Sequence, residues 1–187
     1  SAIGATGARP VFVDVRDDNF LMDVSKLEAA ITPRTKAVIP VHLYGQCVDM
    51  DPLLDIARKH GLKVLEDVAQ AQGAFYKDRP AGSMGDASAW SFYPTKVLGG
   101  YGDGGLILAR DEKVLALARS LRFYGMEGTY YSERPGRNSR LDEVQAAILR
   151  YKLPLVAPWV ERRRQIADRY HAELGNAVGL PRETSYG

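Results

Sequence analysis

Short apolar runs bounded by turn residues alternate with segments of helical periodicity along most of this chain, and that alternation constrains the fold more than any other feature. Residues 11–15 read as a buried strand. Residues 23–31 place Val24, Leu27 and Ile31 at helical spacing behind Asp23, a suitable N-cap, and Thr32-Pro33 ends the helix. Residues 37–44 are β-branched and apolar, a strand leading into Gly45. Residues 51–60 predict a second helix, with Pro52 in its first turn and Gly61 past its end. Strands follow at 62–66, 88–92 and 105–109, and helices at 112–124, 140–153 and about 158–174. Strands separated by helices imply an α/β fold, a mostly parallel sheet covered on both faces in a three-layer αβα sandwich. In such sheets ligands bind beyond the carboxyl ends of the strands. The segment 125–138 reads as a long loop, and long loops in compact domains are often functional.

Composition removes several classes. A net charge of +2 gives no electrostatic case for nucleic acid or membrane surfaces. The cluster Arg162-Arg163-Arg164 lies in a helical pattern with Glu161 and Asp168 and reads as a solvated face. No run of 18 apolar residues predicts a membrane span. Cys47 is the only cysteine, which excludes an internal disulfide and a cysteine-based zinc site, and reads as a small buried hydrophobe of a protein in the reducing cytoplasm. The three histidines, His42, His60 and His171, show no metal spacing. His42 ends a predicted strand near the expected site and is a candidate ligand contact. The start at Ser1 and the end at Ser185-Tyr186-Gly187 read as those of a piece of a longer protein.

The chemistry centres on Ser91-Phe92-Tyr93-Pro94-Thr95-Lys96 and the glycine cluster that follows, Gly99-Gly100-Tyr101-Gly102-Asp103-Gly104-Gly105. Upstream, the strand 62–66 runs into Glu66-Asp67. A lysine amine that adds to an aldehyde and a carboxylate that keeps a pyridine nitrogen protonated are what pyridoxal 5′-phosphate chemistry asks of a protein. Lys96 stands among aromatic and aliphatic residues, where lost solvation favours the neutral, nucleophilic amine; its bland reading is a surface lysine. Glu66 and Asp67 must point to opposite faces of a strand, so one can face a site while the other is structural. Asp67 also fits a helix N-cap. Gln70 can hydrogen-bond a phenolate oxygen, and Ser91 a phosphate oxygen, although each also reads as an ordinary polar residue. The glycine cluster opens a strand rather than a helix, which argues against a dinucleotide loop and for a tight turn or a backbone that passes close to a bound group.

With these residues in place, the chain resembles the DegT/DnrJ/EryC1/StrS family of sugar aminotransferases. Five ordered segments carry the resemblance: residues 7–14, 39–46, Glu66 to Ala74, Ser91 to Lys96 with Gly102 to Gly105, and Gly136 to Ala147. The resemblance implies the large domain of the pyridoxal-phosphate-dependent transferase fold type I. It implies that Lys96 forms the Schiff base and shuttles the proton, that Asp67 pairs with the pyridine nitrogen, that Gln70 contacts the ring hydroxyl and that Ser91 binds the phosphate. Asn138 would reach across a homodimer interface to the partner's cofactor. The wording around Lys96 and Asn138 is most similar to members that aminate the 3-keto carbon of a dTDP-linked deoxyhexose, with glutamate as the amino donor. Three positions depart from the usual pattern: Gln72 where histidine is frequent, Val97 where asparagine is usual, and Val68 for alanine. A branch without the lysine acts as a dehydratase, and Lys96 argues against it. Residues 1–157 would be the central part of the large domain and 158–187 a long helix leading towards a small C-terminal domain. An N-terminal segment and that small domain are expected outside this chain. The competing readings are a truncated, non-catalytic domain and a pyridoxal-phosphate enzyme of another substrate class.

Overall fold

A computed structural model of the chain describes residues 2–128, 130–175 and 177–186. After a short helix α1 (Ala2–Ala5), the first strand, β1 (Ala37–Val38), is followed by α2 (Met50–Lys59) and β2 (Lys63–Asp67). A small antiparallel pair, β3 (Phe75–Tyr76) and β4 (Arg79–Pro80), leads to β5 (Ala87–Ser91) and β6 (Gly105–Ala109). Helices α3 (Glu112–Leu121), α4 (Glu143–Lys152) and α5 (Val156–Leu174) complete the order. The main sheet runs β1-β2-β5-β6, with β1, β2 and β5 parallel and β6 antiparallel to β5. The expected α/β arrangement is therefore present, with one antiparallel edge.

The core gathers where α2 packs on β1 and β2. Leu53 and Ala57 of the helix and Val38 and Val64 of the strands are buried together with Met50, Leu62 and Val48. This is the amphipathic stripe expected of a crossover helix, polar on its other side. Cys47 is fully enclosed there; burial, and secondarily the charge of Glu66, push its thiol up to about 12, so it behaves as a hydrophobe and not as a nucleophile.

Several predicted elements are shorter than their sequence pattern. Residues 11–15 form no strand. Their one ladder contact is a bridge from Val15 to Met22, and Phe12 is 90% exposed, because no described strand lies alongside to take the backbone bonds. The helix predicted at 23–31 is two 3₁₀ turns, Val24–Lys26 and Glu28–Ala30; Asp23 caps the first by accepting from Ser25 N at 3.1 Å. The strand predicted at 37–44 narrows to β1 and a bridge between Val41 and Asp67, since Pro40 has no N–H to give and Tyr44-Gly45 turns with φ of 56° and 85°. Helix α3 stops at Leu121 because Tyr124 and Gly125 both take positive φ. Helix α4 starts only after Asp142. Helix α5 is longer than expected, beginning at Val156, and tolerates Pro158 because a first-turn N–H has no helical acceptor to lose.

Candidate functional site

The register of β2 on β5 sorts the chemistry onto two faces. Glu66 pairs with Ser88, and Asp67 with Ala89. Side chains alternate along each strand, so Asp67, Ala89 and Ser91 share one face while Glu66, Ser88 and Trp90 share the other.

On the second face Glu66 is fully buried and saturated. Its carboxylate accepts from the backbone N–H groups of Gly82 (2.7 Å), Met84 (2.7 Å) and Gly85 (2.5 Å) and from His42 Nε2 at 2.9 Å. His42 Nδ1 in turn accepts from Val48 N at 3.1 Å, so the ring proton resides on Nε2 and points at the carboxylate. Desolvation alone would raise the pKa of Glu66, but the bonds from His42, Gly85 and Gly82 outweigh it and hold the acid below its ordinary value. Gly82 is required here: it sits at φ +81°, and a Cβ would lie 2.7 Å from the Trp90 ring. His42, expected as a ligand contact, is instead 0% exposed and committed to Glu66. A fully buried strand-end carboxylate needs a buried partner, and the imidazole supplies it.

The first face is different in kind. Asp67 closes β2 and is half-buried; its N–H donates to Pro40 O (2.9 Å), and its Oδ1 accepts from Ala69 N at 3.0 Å. Its other oxygen meets no donor among the described residues. Gln70 is exposed, and its Oε1 accepts from Tyr44 N at 3.4 Å, which leaves its NH₂ free to donate. Ser91 ends β5; its Oγ accepts from Tyr93 N at 3.2 Å, leaving its own O–H to donate. Lys96 lies five residues on, in a loop fixed by Lys96 N to Tyr93 O (2.9 Å), with its side chain half-buried and its ammonium unpaired among the described residues. Asn138 lies on a different segment from these strand ends. Its backbone bridges Phe123, its side chain is exposed, and its Oδ1 accepts from Arg140 Nε at 3.2 Å.

Four of the five predicted residues thus sit at or just after the carboxyl ends of β2 and β5. The side chains of Asp67, Gln70 and Ser91 each have one atom or lone pair tied to the protein and another open, while Lys96 is fixed through its backbone and its amine is open. This donor set fits pyridoxal 5′-phosphate: a carboxylate for the ring nitrogen, an amide donor for the ring oxygen, a hydroxyl for the phosphate and an amine for the aldehyde.

The loop after Lys96 is held from both sides. Gly99 passes so close to Pro94 that a Cβ would lie 2.6 Å from its carbonyl oxygen. At Gly99 the close neighbour is the backbone of the lysine loop itself, whereas the sequence pointed to a bound group or a tight turn. From α4, Gln145 accepts from Tyr101 N (2.8 Å), while Lys152 donates to Gly99 O (2.8 Å) and lies 4.5 Å over the Tyr101 ring. From the other side, Gln72 is buried and bonds Leu98 and Ser91. None of these supports was singled out from the sequence as holding the loop. In the sequence Gln72 stands out only as a departure from the family pattern. An open groove of about 540 Å³, lined by Tyr101, Val144, Ile148, Tyr151 and Trp159 among others, lies along α4 and is predominantly apolar. Its lining holds no carboxylate.

A model of the DegT/DnrJ/EryC1/StrS aminotransferase family matches residues 1–185. A dTDP-3-amino-3,4,6-trideoxy-alpha-D-glucose transaminase of Micromonospora megalomicea subsp. nigra is 60% identical over 183 residues, covering 96% of this chain and 49% of the relative. A UDP-N-acetyl-3-dehydro-alpha-D-glucosamine 3-aminotransferase of Acidithiobacillus ferrooxidans is 48% identical, over 96% of this chain and 48% of its own. Among solved structures, S. venezuelae DesV in complex with a ketimine intermediate superposes with a TM-score of 0.94 at 45% identity, covering 99% of this chain and 50% of that one. The chain spans about half the length of the curated relatives it matches.

Proposed function

The chain belongs to the DegT/DnrJ/EryC1/StrS aminotransferase family, and from that premise we propose that it carries the cofactor-binding half of a pyridoxal 5′-phosphate-dependent aminotransferase. The proposed reaction moves an amino group from glutamate to carbon 3 of a dTDP-linked keto-deoxyhexose. The observation that supports it most is the set of half-tied side chains, Asp67, Gln70 and Ser91, together with the unpaired amine of Lys96, at or just after the carboxyl ends of β2 and β5. The names of the two relatives above, both of 3-amino chemistry, favour carbon 3.

When bound, pyridoxal phosphate supplies an electron sink that makes a carbon–hydrogen bond next to nitrogen acidic. The chain's own residues do the rest. The Asp67 carboxylate, oriented at the end of β2 by its bond to Ala69 N, would pair with the protonated ring nitrogen. Gln70 would donate its NH₂ to the ring oxygen, and Ser91 its O–H to a phosphate oxygen. Lys96 would hold the aldehyde through its amine and would be the group that carries the proton at the substrate carbon. Asn138, exposed and on a different segment from the others, serves the phosphate of a second subunit's site, so the working unit is a homodimer. Residues 1–157 form the central part of the large domain, and 158–187 lead towards a small one. The lone, buried Cys47 accords with a cytoplasmic enzyme.

The test is to add pyridoxal phosphate, reduce with borohydride and map the labelled peptide. Label on Lys96 is expected, and label spread over surface lysines would sink the reading. Offering dTDP-linked 3-keto and 4-keto sugars with glutamate then separates the positions; amination at carbon 4 would overturn the choice of carbon 3.

A further inference from the structure

We infer that Gln72 is a positioning residue for Lys96, closing the neck of the lysine loop and tying it to the segment that carries Asp67. This rests on the role given to Lys96 above. The side chain of Gln72 is 6% exposed and uses both ends of its amide. Its Oε1 accepts from Leu98 N at 2.6 Å, and its Nε2 donates to Ser91 O at 2.7 Å, with Leu98 O at 3.4 Å. Ser91 is the last residue of β5, and Leu98 lies two residues beyond Lys96. One amide therefore joins the entry of the loop to its exit, with Lys96 between them.

Gln72 itself is fixed relative to Asp67. Val68 N donates to Ala89 O (2.9 Å), Ala69 N to the Asp67 carboxylate (3.0 Å), and Ala71 N to Val68 O (3.1 Å), while Val68 and Ala71 are fully buried. The spacing between the carboxylate and the amine is thus set through a short, packed segment and a two-ended hydrogen bond, rather than by the long, flexible lysine side chain alone. That is the support a reactive group requires from its surroundings.

The geometry demands one donor and one acceptor on the same buried side chain. A neutral imidazole has both, which makes histidine at this position a chemical equivalent rather than a change of substrate detail. A glutamate at the same place can accept from Leu98 N but brings an acceptor against Ser91 O. A leucine does neither.

The experiment compares the full chain with Gln72→Leu, Gln72→Glu and Gln72→His, reading amide hydrogen exchange at Leu98 and the share of borohydride-fixed pyridoxal phosphate found on Lys96. Gln72→Leu should speed exchange at Leu98 roughly tenfold, the loss of one buried hydrogen bond, while the amides of Asp67 and Val68 keep their rates. The Lys96 share should fall in Leu and Glu and return in His. If Leu98 exchanges as before in Gln72→Leu, or if His and Leu behave alike, the clamp is wrong. Faster exchange throughout the sheet would likewise overturn it, reducing Gln72 to a stability residue; if the leucine variant does not fold, the near-isosteric Gln72→Glu decides through the Lys96 share, and an undiminished share overturns the clamp. Failure to label Lys96 in the unsubstituted chain would strike the proposed reaction, while the exchange comparison still decides the clamp.

Discussion

Glu66 and Asp67 are neighbours of the same chemical type at the end of one strand, yet the two faces of β2 treat them oppositely. Glu66 is sealed, with four donors converging on its two oxygens. Asp67 is half-buried, with one backbone donor on one oxygen. A satisfied buried charge can only hold the protein together, because every lone pair it could offer a ligand is in use. An unsatisfied, partly exposed one is free to act. The same contrast extends along β5, where Ser88 is enclosed and accepts from Trp90 Nε1 at 3.0 Å while Ser91 faces the lysine loop with its hydroxyl proton uncommitted.

If this division is right, substitutions on the two faces should fail differently. Lys96→Ala should lower transamination by roughly a thousandfold or more, the scale of losing a positioned proton carrier, with folding stability within about 0.5 kcal/mol of the parent. Equal activity with and without Lys96 would break the assignment of the first face. Next in size, Glu66→Leu should destabilise the fold by about 3–5 kcal/mol, because it strands three backbone donors and the His42 N–H; a urea titration reads this directly.

Glu66 also predicts a pH signature. Its pKa in the fold lies below the ordinary 4.5: burial pushes it up, and the bonds from His42, Gly85 and Gly82 pull it further down. The stabilisation from its ionised form is complete above about 4.5 and drains away as pH falls through the folded value. Glu66→Gln should flatten that acid limb of the stability curve. An unchanged acid limb would mean that the buried pair does not control acid unfolding.

On the first face, Asp67→Asn should weaken retention of pyridoxal phosphate roughly ten- to a hundredfold, the range for a hydrogen bond to a charged group, while leaving the urea midpoint nearly unmoved. Should the midpoint fall as far as in Glu66→Leu, the comparison between the two acids collapses. Ser91→Ala is the smallest effect, roughly three- to tenfold on cofactor retention, the loss of one ordinary hydrogen bond. Equilibrium dialysis against the cofactor measures both.

Much of this was legible in the residues. The alternation of patterns located β2, β5, β6, α2 and α5 to within a few positions, because each buries a face whose period is written in the chain. Asp67 and Lys96, each just after a predicted strand, pointed to the strand ends as the candidate site, because ligands of such sheets bind beyond the carboxyl ends of the strands. The expected strand at 11–15 and the full length of the one at 37–44 did not materialise. A strand depends on a neighbour to take its bonds, and an apolar run cannot say whether that neighbour is present.

The sequence by itself determined the α/β class, the family and the candidate chemical groups, since periodicity and ordered motifs are local properties of the chain. Only the tertiary structure decided which of two adjacent carboxylates is sealed and which is open, that His42 belongs to Glu66, and that Gln72, Gln145 and Lys152 brace the lysine loop. Those facts rest on contacts between residues 24 to 53 positions apart. No local pattern encodes such contacts, because burial and hydrogen-bond partnership are fixed only when the strands take their register.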